Sequence, residues 1–163
     1  MLRGDADVVA ARLRDSAELD ALHLDLRLGV TAAALRVDAR EIVLADTTTV
    51  GYDDVVLATG AAPRMLPGIV LDGVHALRTL DDCIALRDRL GPGVRVIVVG
   101  AGFIGLEVAA SARSHGADVT VVDVLPAPLS RVLDESIGAA VQALHQVNGV
   151  SFRLGVGVAA VEG

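Results

Sequence analysis

Along the chain, hydrophobic and polar positions change rhythm several times. Residues 5–17 are polar, rich in Arg and Asp, and follow no clean period. Residues 22–28 alternate strictly, with Leu22, Leu24, Leu26 and Leu28 separated by polar residues, and this predicts a half-buried strand. Residues 31–37 and 41–45 read as two further short strands, and 49–52 leads into 53–58, another buried strand. Close spacing of this kind predicts a small antiparallel meander. The turn at Asp46, Thr47 and Thr48 has no glycine, so it lacks the usual hairpin residue. Pro63 ends regular structure, and 65–75, with Pro67, Gly68 and Gly73, reads as a linker.

The second half has a different rhythm. Thr79 is placed to cap a helix whose first turn holds Asp81 and Asp82, and which runs to about residue 90 before Gly91, Pro92 and Gly93. Residues 96–99 are apolar and β-branched without alternation, the pattern of a parallel strand covered on both faces. A helix is predicted over 103–114, a strand over 118–123, a loop over 124–130, a helix from about 134 to 145 and a strand over 150–154. Residues 155–161 read as the start of one more strand. Alternating strands and helices with right-handed crossovers give an α/β fold: a Rossmann-like unit whose parallel sheet has the order 3-2-1.

Between strand 96–99 and its helix lies Gly100-Ala101-Gly102-Phe103-Ile104-Gly105, the spacing of a dinucleotide fingerprint in its required context. Gly100 allows a sharp reversal, Gly102 leaves room for a pyrophosphate and Gly105 lets the helix lie close to the sheet. The helix start then offers unpaired N–H groups to phosphate. A tight turn that serves no ligand is the alternative. Asp123 ends the next strand eighteen residues after Gly105, where a carboxylate can accept from ribose hydroxyls and repel a 2′-phosphate. No Arg or Lys follows until Arg131, which favours NAD(H) over NADP(H). The alternative is a solvated strand-end carboxylate.

Composition narrows the picture. The 163 residues are 53% hydrophobic but only 2% aromatic, so the core must be aliphatic. The longest uncharged apolar stretch, 96–106, has eleven residues and three glycines, too few to cross a bilayer. The formal charge of −7 argues against nucleic acid or anionic membrane as partner. A single cysteine, Cys83, excludes an internal disulfide; with no leader at the N-terminus, the expected location is cytoplasmic. His23, His75, His115 and His145 show no ligand spacing, so no metal site is expected. Arg95, Arg113 and Arg131 read as solvated.

Three stretches together, residues 52–64, 77–82 and 100–110, resemble the FAD-dependent pyridine nucleotide-disulfide oxidoreductase superfamily. The resemblance is nearest to the ferredoxin, rubredoxin and putidaredoxin reductase branch. It implies two domains: a partial FAD-binding domain over 1–66 with the short meander, lacking the N-terminal FAD fingerprint, and an NAD(H)-binding domain over 67–163, truncated at its C-terminus. It implies that Ala58, Thr59 and Gly60 line FAD, with Arg64 near its phosphate or ribitol side and Ala32 at the adenine. The small residues at 58–62 independently allow close backbone approach, and Thr59 offers a hydroxyl. The resemblance places Gly100, Ala101, Gly102, Phe103, Ile104 and Gly105 against NADH and Asp123 on its adenosine ribose.

The same resemblance makes Glu107 the catalytic candidate, near the nicotinamide carboxamide and the flavin. Glu107 is also the only charge between Arg95 and Arg113, on a helix otherwise apolar, where a buried carboxylate would need a partner; a Glu that reaches solvent is the alternative. The implied chemistry is hydride transfer from NADH to FAD and single-electron transfer to a ferredoxin or similar iron–sulfur protein. The chain reads as an internal fragment, expected to be inactive alone. A related reductase (a nitrite reductase subunit or a coenzyme A disulfide reductase-like enzyme) and a non-catalytic NAD-binding module are the alternatives.

Overall fold

The computed structural model describes residues 1–66 and 71–162. The chain forms two compact units, residues 12–61 and residues 1–11 with 62–163. The linker expected around Pro67 and Gly68 lies outside the described residues.

The unit 12–61 opens with a short helix α1 (Ser16–Ala21), capped by Asp15, whose carboxylate accepts from the Glu18 amide at 2.8 Å. It then builds a three-stranded antiparallel sheet from β1 (Ala32–Arg36), β2 (Glu41–Leu44) and β3 (Thr49–Gly51), in that order. The β2–β3 turn solves its missing glycine locally. Thr47 takes a positive φ of 73°, and the Asp46 carboxylate accepts from the Thr48 amide at 3.0 Å and hydroxyl at 2.6 Å. Those two donors hold the Asp46 carboxyl below its ordinary pKa.

Two expected strands do not form. Residues 22–28 pair with nothing among the described residues, and Leu22, Leu24, Leu26 and Leu28 are all exposed. Alternation states which face a strand would bury, but burial needs a partner, and His23 at φ +51° and Gly29 at φ +74° bend the segment at both ends. Residues 55–58 likewise stay unpaired, with Val56 and Leu57 exposed.

The other unit holds α2 (Leu80–Arg87), β4 (Arg95–Val99), α3 (Phe103–Ser114), β5 (Asp118–Asp123), α4 (Glu135–Val147) and β6 (Val150–Leu154). Thr79 and Asp82 form a reciprocal capping box at the start of α2, which ends at Arg87, a turn short of the expected limit. The three strands are parallel and ordered β4-β5-β6, with Val98 beside Val121 and Val121 beside Phe152. Small residues on one side of α3 let it settle on the sheet. Val108, Ala109 and Ala112 join Val98, Val119, Val121 and Val150 in one aliphatic core.

The expectation that 96–99 is covered on both faces does not hold: Ile97 and Val99 are exposed. Only the α3 side of β4 is buried, and β4 has one strand neighbour among the described residues. Residues 155–161 form no strand; they are tied back by Gly155 N–H to the Leu125 carbonyl at 3.0 Å and Val156 N–H to the Asp123 carbonyl at 3.1 Å.

Candidate nucleotide-binding site

The turn that leaves β4 is held from two sides. Gly100 adopts φ +109°, a backbone that a side chain would strain, and its N–H donates to the Val122 carbonyl on β5 at 2.8 Å. Ala101 is almost wholly buried. Its N–H donates to Asp123 Oδ2 at 2.6 Å, and its carbonyl accepts from the Leu129 N–H at 3.0 Å. Gly102 is the N-cap of α3 in ordinary extended backbone, and it places no side chain over the first turn. A Cβ on Gly102 would meet nothing within 4 Å among the described residues. The space over the helix start is therefore open, and the N–H groups of the first turn receive no side-chain cap. That combination fits a diphosphate.

Gly105 has a different role. A Cβ there would overlap the Gly100 carbonyl oxygen and come within 3.3 Å of Val98 Cγ1. The third glycine thus lets α3 press against the turn as well as the strand. Phe103 and Ile104 are exposed beside it.

Asp123 lies half-buried at the end of β5, and both carboxylate oxygens are in use. Oδ2 receives Ala101 N–H and Oδ1 receives Leu125 N–H at 2.8 Å. Sequence reasoning placed the carboxylate at the strand end but missed its tie to the turn, and missed the loop that closes on it. Pro128 and Leu129 are buried, Leu129 at φ +60°, and Ser130 Oγ donates to the Ala127 carbonyl at 2.6 Å. Gly138 on α4 makes room, since a Cβ there would stand 2.5 Å from the Pro128 carbonyl oxygen. Two prolines within 126–128 and a glycine inside a helix were the available signals.

Glu107 is exposed on α3 and borders a shallow cleft with Arg3, Leu77 and Ser111. The burial argument for it does not hold. Arg113, expected to be solvated, instead bridges elements: it donates to the Ala117 carbonyl at 2.6 Å and the Asn148 carbonyl at 3.3 Å, with Asp118 at 3.7 Å.

The candidate flavin residues sit on the two units separately. Within 12–61, Ala32 opens β1 opposite Leu44 at a bulge, and Ala58, Thr59 and Gly60 are exposed in irregular backbone, with Gly60 at φ +76°. Arg64, exposed, belongs by chain position to the other unit.

Residues 4–163 match the family model for pyridine nucleotide-disulphide oxidoreductases. The chain belongs to that family. This family member is 45% identical over 146 residues to the ferredoxin–NAD(+) reductase component of the anthranilate 1,2-dioxygenase system of Burkholderia cepacia, a match covering 88% of the chain and 36% of that protein. It superposes on putidaredoxin reductase, solved in covalent complex with putidaredoxin, with a TM-score of 0.87 and 35% identity; 99% of this chain and 40% of that one are covered. It also resembles the water-forming NADH oxidase of Lactobacillus brevis bound to NADH, at TM-score 0.78 and 26% identity over 94% of this chain and 36% of that one. An NADPH-bound engineered form of that oxidase, 25% identical at TM-score 0.77 over the same shares, carries five substitutions. Among them are Gly→Ala, Asp→Ala eighteen positions later and Ala→Arg directly after it. The chain thus spans about two fifths of the length of the reductases it matches.

Proposed function

We propose that this chain is the NADH-binding part, with an adjoining FAD-contacting part, of a flavoprotein reductase that delivers electrons to a ferredoxin-type iron–sulfur protein. The observation that carries the reading is the turn 100–102 with Asp123 beside it. An open helix start, a glycine carrying no side chain over it and a carboxylate at the neighbouring strand end together suit a dinucleotide. The β4-β5-β6 order supports a Rossmann-like half-sheet with strand order 3-2-1. On this reading residues 1–66 contribute to FAD binding and 67–163 to NAD(H) binding.

FAD, when bound, would supply the redox chemistry, linking a two-electron hydride donor to a one-electron acceptor. The residues of this chain orient the partners. The amides at Gly102, Phe103 and Ile104 would hold the pyrophosphate, Gly105 lets α3 lie close to the sheet, and Asp123 would meet the adenosine ribose. Within 12–61, Ala32, Ala58, Thr59 and Gly60 would contribute backbone and a hydroxyl to FAD. Glu107, exposed on the same helix two residues after Gly105, would serve the nicotinamide end.

The preference for NADH rests on Asp123 and on the lack of a cation between it and Arg131. Gly105, Asp123 and Val124 share the spacing of the Gly, Asp and Ala replaced in the NADPH-bound oxidase. The test is a titration of the chain with NADH and NADPH, followed through nicotinamide fluorescence. Wild type should prefer NADH. The pair Asp123→Ala with Val124→Arg should move the ratio of affinities by about tenfold or more toward NADPH, since one charge-assisted contact is worth about 1.5–3 kcal/mol. An unchanged ratio, or no binding of either nucleotide by wild type, would sink the reading.

A further inference from the structure

We infer that Asp123 is a positioning residue as well as a ribose acceptor: its carboxylate holds the Ala101 amide, and so keeps the glycine turn in its binding shape before any nucleotide arrives. The inference deepens the proposed nucleotide site and rests on that reading for its consequence, but its geometry stands without a ligand.

The peptide groups flanking Ala101 are used on both sides. The N–H meets Asp123 Oδ2 at 2.6 Å, short for a nitrogen donor, in the direction that a charged acceptor shifts such bonds. The carbonyl meets Leu129 N–H at 3.0 Å. With Ala101 about 1% exposed, water cannot replace either partner. A buried amide left without an acceptor is strongly disfavoured, so the carboxylate pins the middle of the turn. The second oxygen takes Leu125 N–H at 2.8 Å, which fixes the carboxylate plane and starts the 124–133 loop. That loop returns to Ala101 through Leu129. One side chain therefore links the turn, the strand end and the loop that closes over them.

Two consequences separate this from a pure ribose contact. The Ala101 amide should be protected in the nucleotide-free protein. Its protection should also depend on an acceptor at position 123 rather than on the charge alone. Asn retains one oxygen, and the buried Ala101 amide claims it, because the half-exposed Leu125 can turn its own N–H to water.

The test is amide hydrogen exchange by NMR on the full chain without nucleotide, for wild type, Asp123→Asn and Asp123→Ala. In wild type the Ala101 amide should exchange slowly and resonate downfield. In Asp123→Ala it should exchange about 10- to 100-fold faster, the factor expected from losing a hydrogen bond to a charged group, while the β5 amides of Val121 and Val122 stay protected. Asp123→Asn should fall between the two, within about tenfold of wild type, because the amide keeps an acceptor that is neutral rather than charged. A fast Ala101 amide in wild type overturns the inference, and so does equal exchange in Asp123→Asn and Asp123→Ala. Should the Ala variant unfold, the wild-type and Asn arms still decide. A parallel NADH titration separates the two claims. Slow Ala101 exchange without NADH binding removes the proposed function alone; NADH binding with a fast Ala101 amide removes this inference alone.

Discussion

Gly105→Ala perturbs the site with a single methyl group. The added Cβ would overlap the Gly100 carbonyl oxygen and approach Val98 Cγ1 at 3.3 Å, where ordinary contact begins near 3.4 Å. The valine can yield a few tenths of an ångström. The carbonyl cannot, because it belongs to the turn that Val122 and Asp123 hold. Either α3 rides up from β4 or the turn swings outward. Forcing extra volume into a packed contact costs about 1–3 kcal/mol, and at about 2–4 °C per kcal/mol for a chain of this size the melting temperature should fall by ~2–12 °C. A displacement of roughly 1 Å at a positioning site can cost about a hundredfold in function, so NADH affinity should fall by more than the stability loss alone implies. Calorimetry gives the first quantity and NADH titration the second. In combination with Asp123→Ala and Val124→Arg the penalty should shrink, because residues sharing one contact do not add. A Gly105→Ala protein with unchanged melting temperature and unchanged NADH affinity would refute the packing argument.

Arg113→Ala should destabilise the fold by about 1–3 kcal/mol in urea titration, because one guanidinium joins the end of α3 to the carbonyls of Ala117 and Asn148. Arg113→Lys should recover only part of this, since a single ammonium nitrogen replaces the two separate guanidinium nitrogens that reach the two carbonyls; full recovery would count against the clamp. His145 lies edge-on to Phe152 with ring centroids 6.2 Å apart, and burial holds its pKa below the ordinary imidazole value. Its neutral form is favoured in the folded state, so its contribution is present above about pH 6.5 and is lost as pH falls through the lowered folded value. Stability measured from pH 7.5 to 5 should decline, and His145→Gln should flatten that slope; an identical slope would remove His145 as the cause.

The parallel half was legible because its elements carry their own punctuation. The strands 95–99, 118–123 and 150–154 are runs with Gly or Asp at their limits, and α3 begins where Gly102 stops being extended. The cap of α2 was legible for the same reason, as Thr79 and Asp82 satisfy each other locally. What failed depended on neighbours. The leucines of 22–28 and the run 55–58 have strand composition but no strand beside them among the described residues. Arg113 read as solvated because its acceptors, Ala117 and Asn148, are main-chain groups that any sequence would supply. The tie between Asp123 and Ala101 was hidden similarly: spacing gave the carboxylate its strand end, while its backbone partner twenty-two residues earlier has no side-chain signature.

The exposure along the fingerprint bears on how the turn could be redesigned. Position 101 is enclosed, so it tolerates little beyond a methyl group, whereas the rings and branches at Phe103 and Ile104 stand free. A library that diversified 103 and 104 while leaving 100, 101, 102 and 105 alone would therefore explore new coenzyme chemistries on an intact frame. One that opened 101 would mostly collect broken folds.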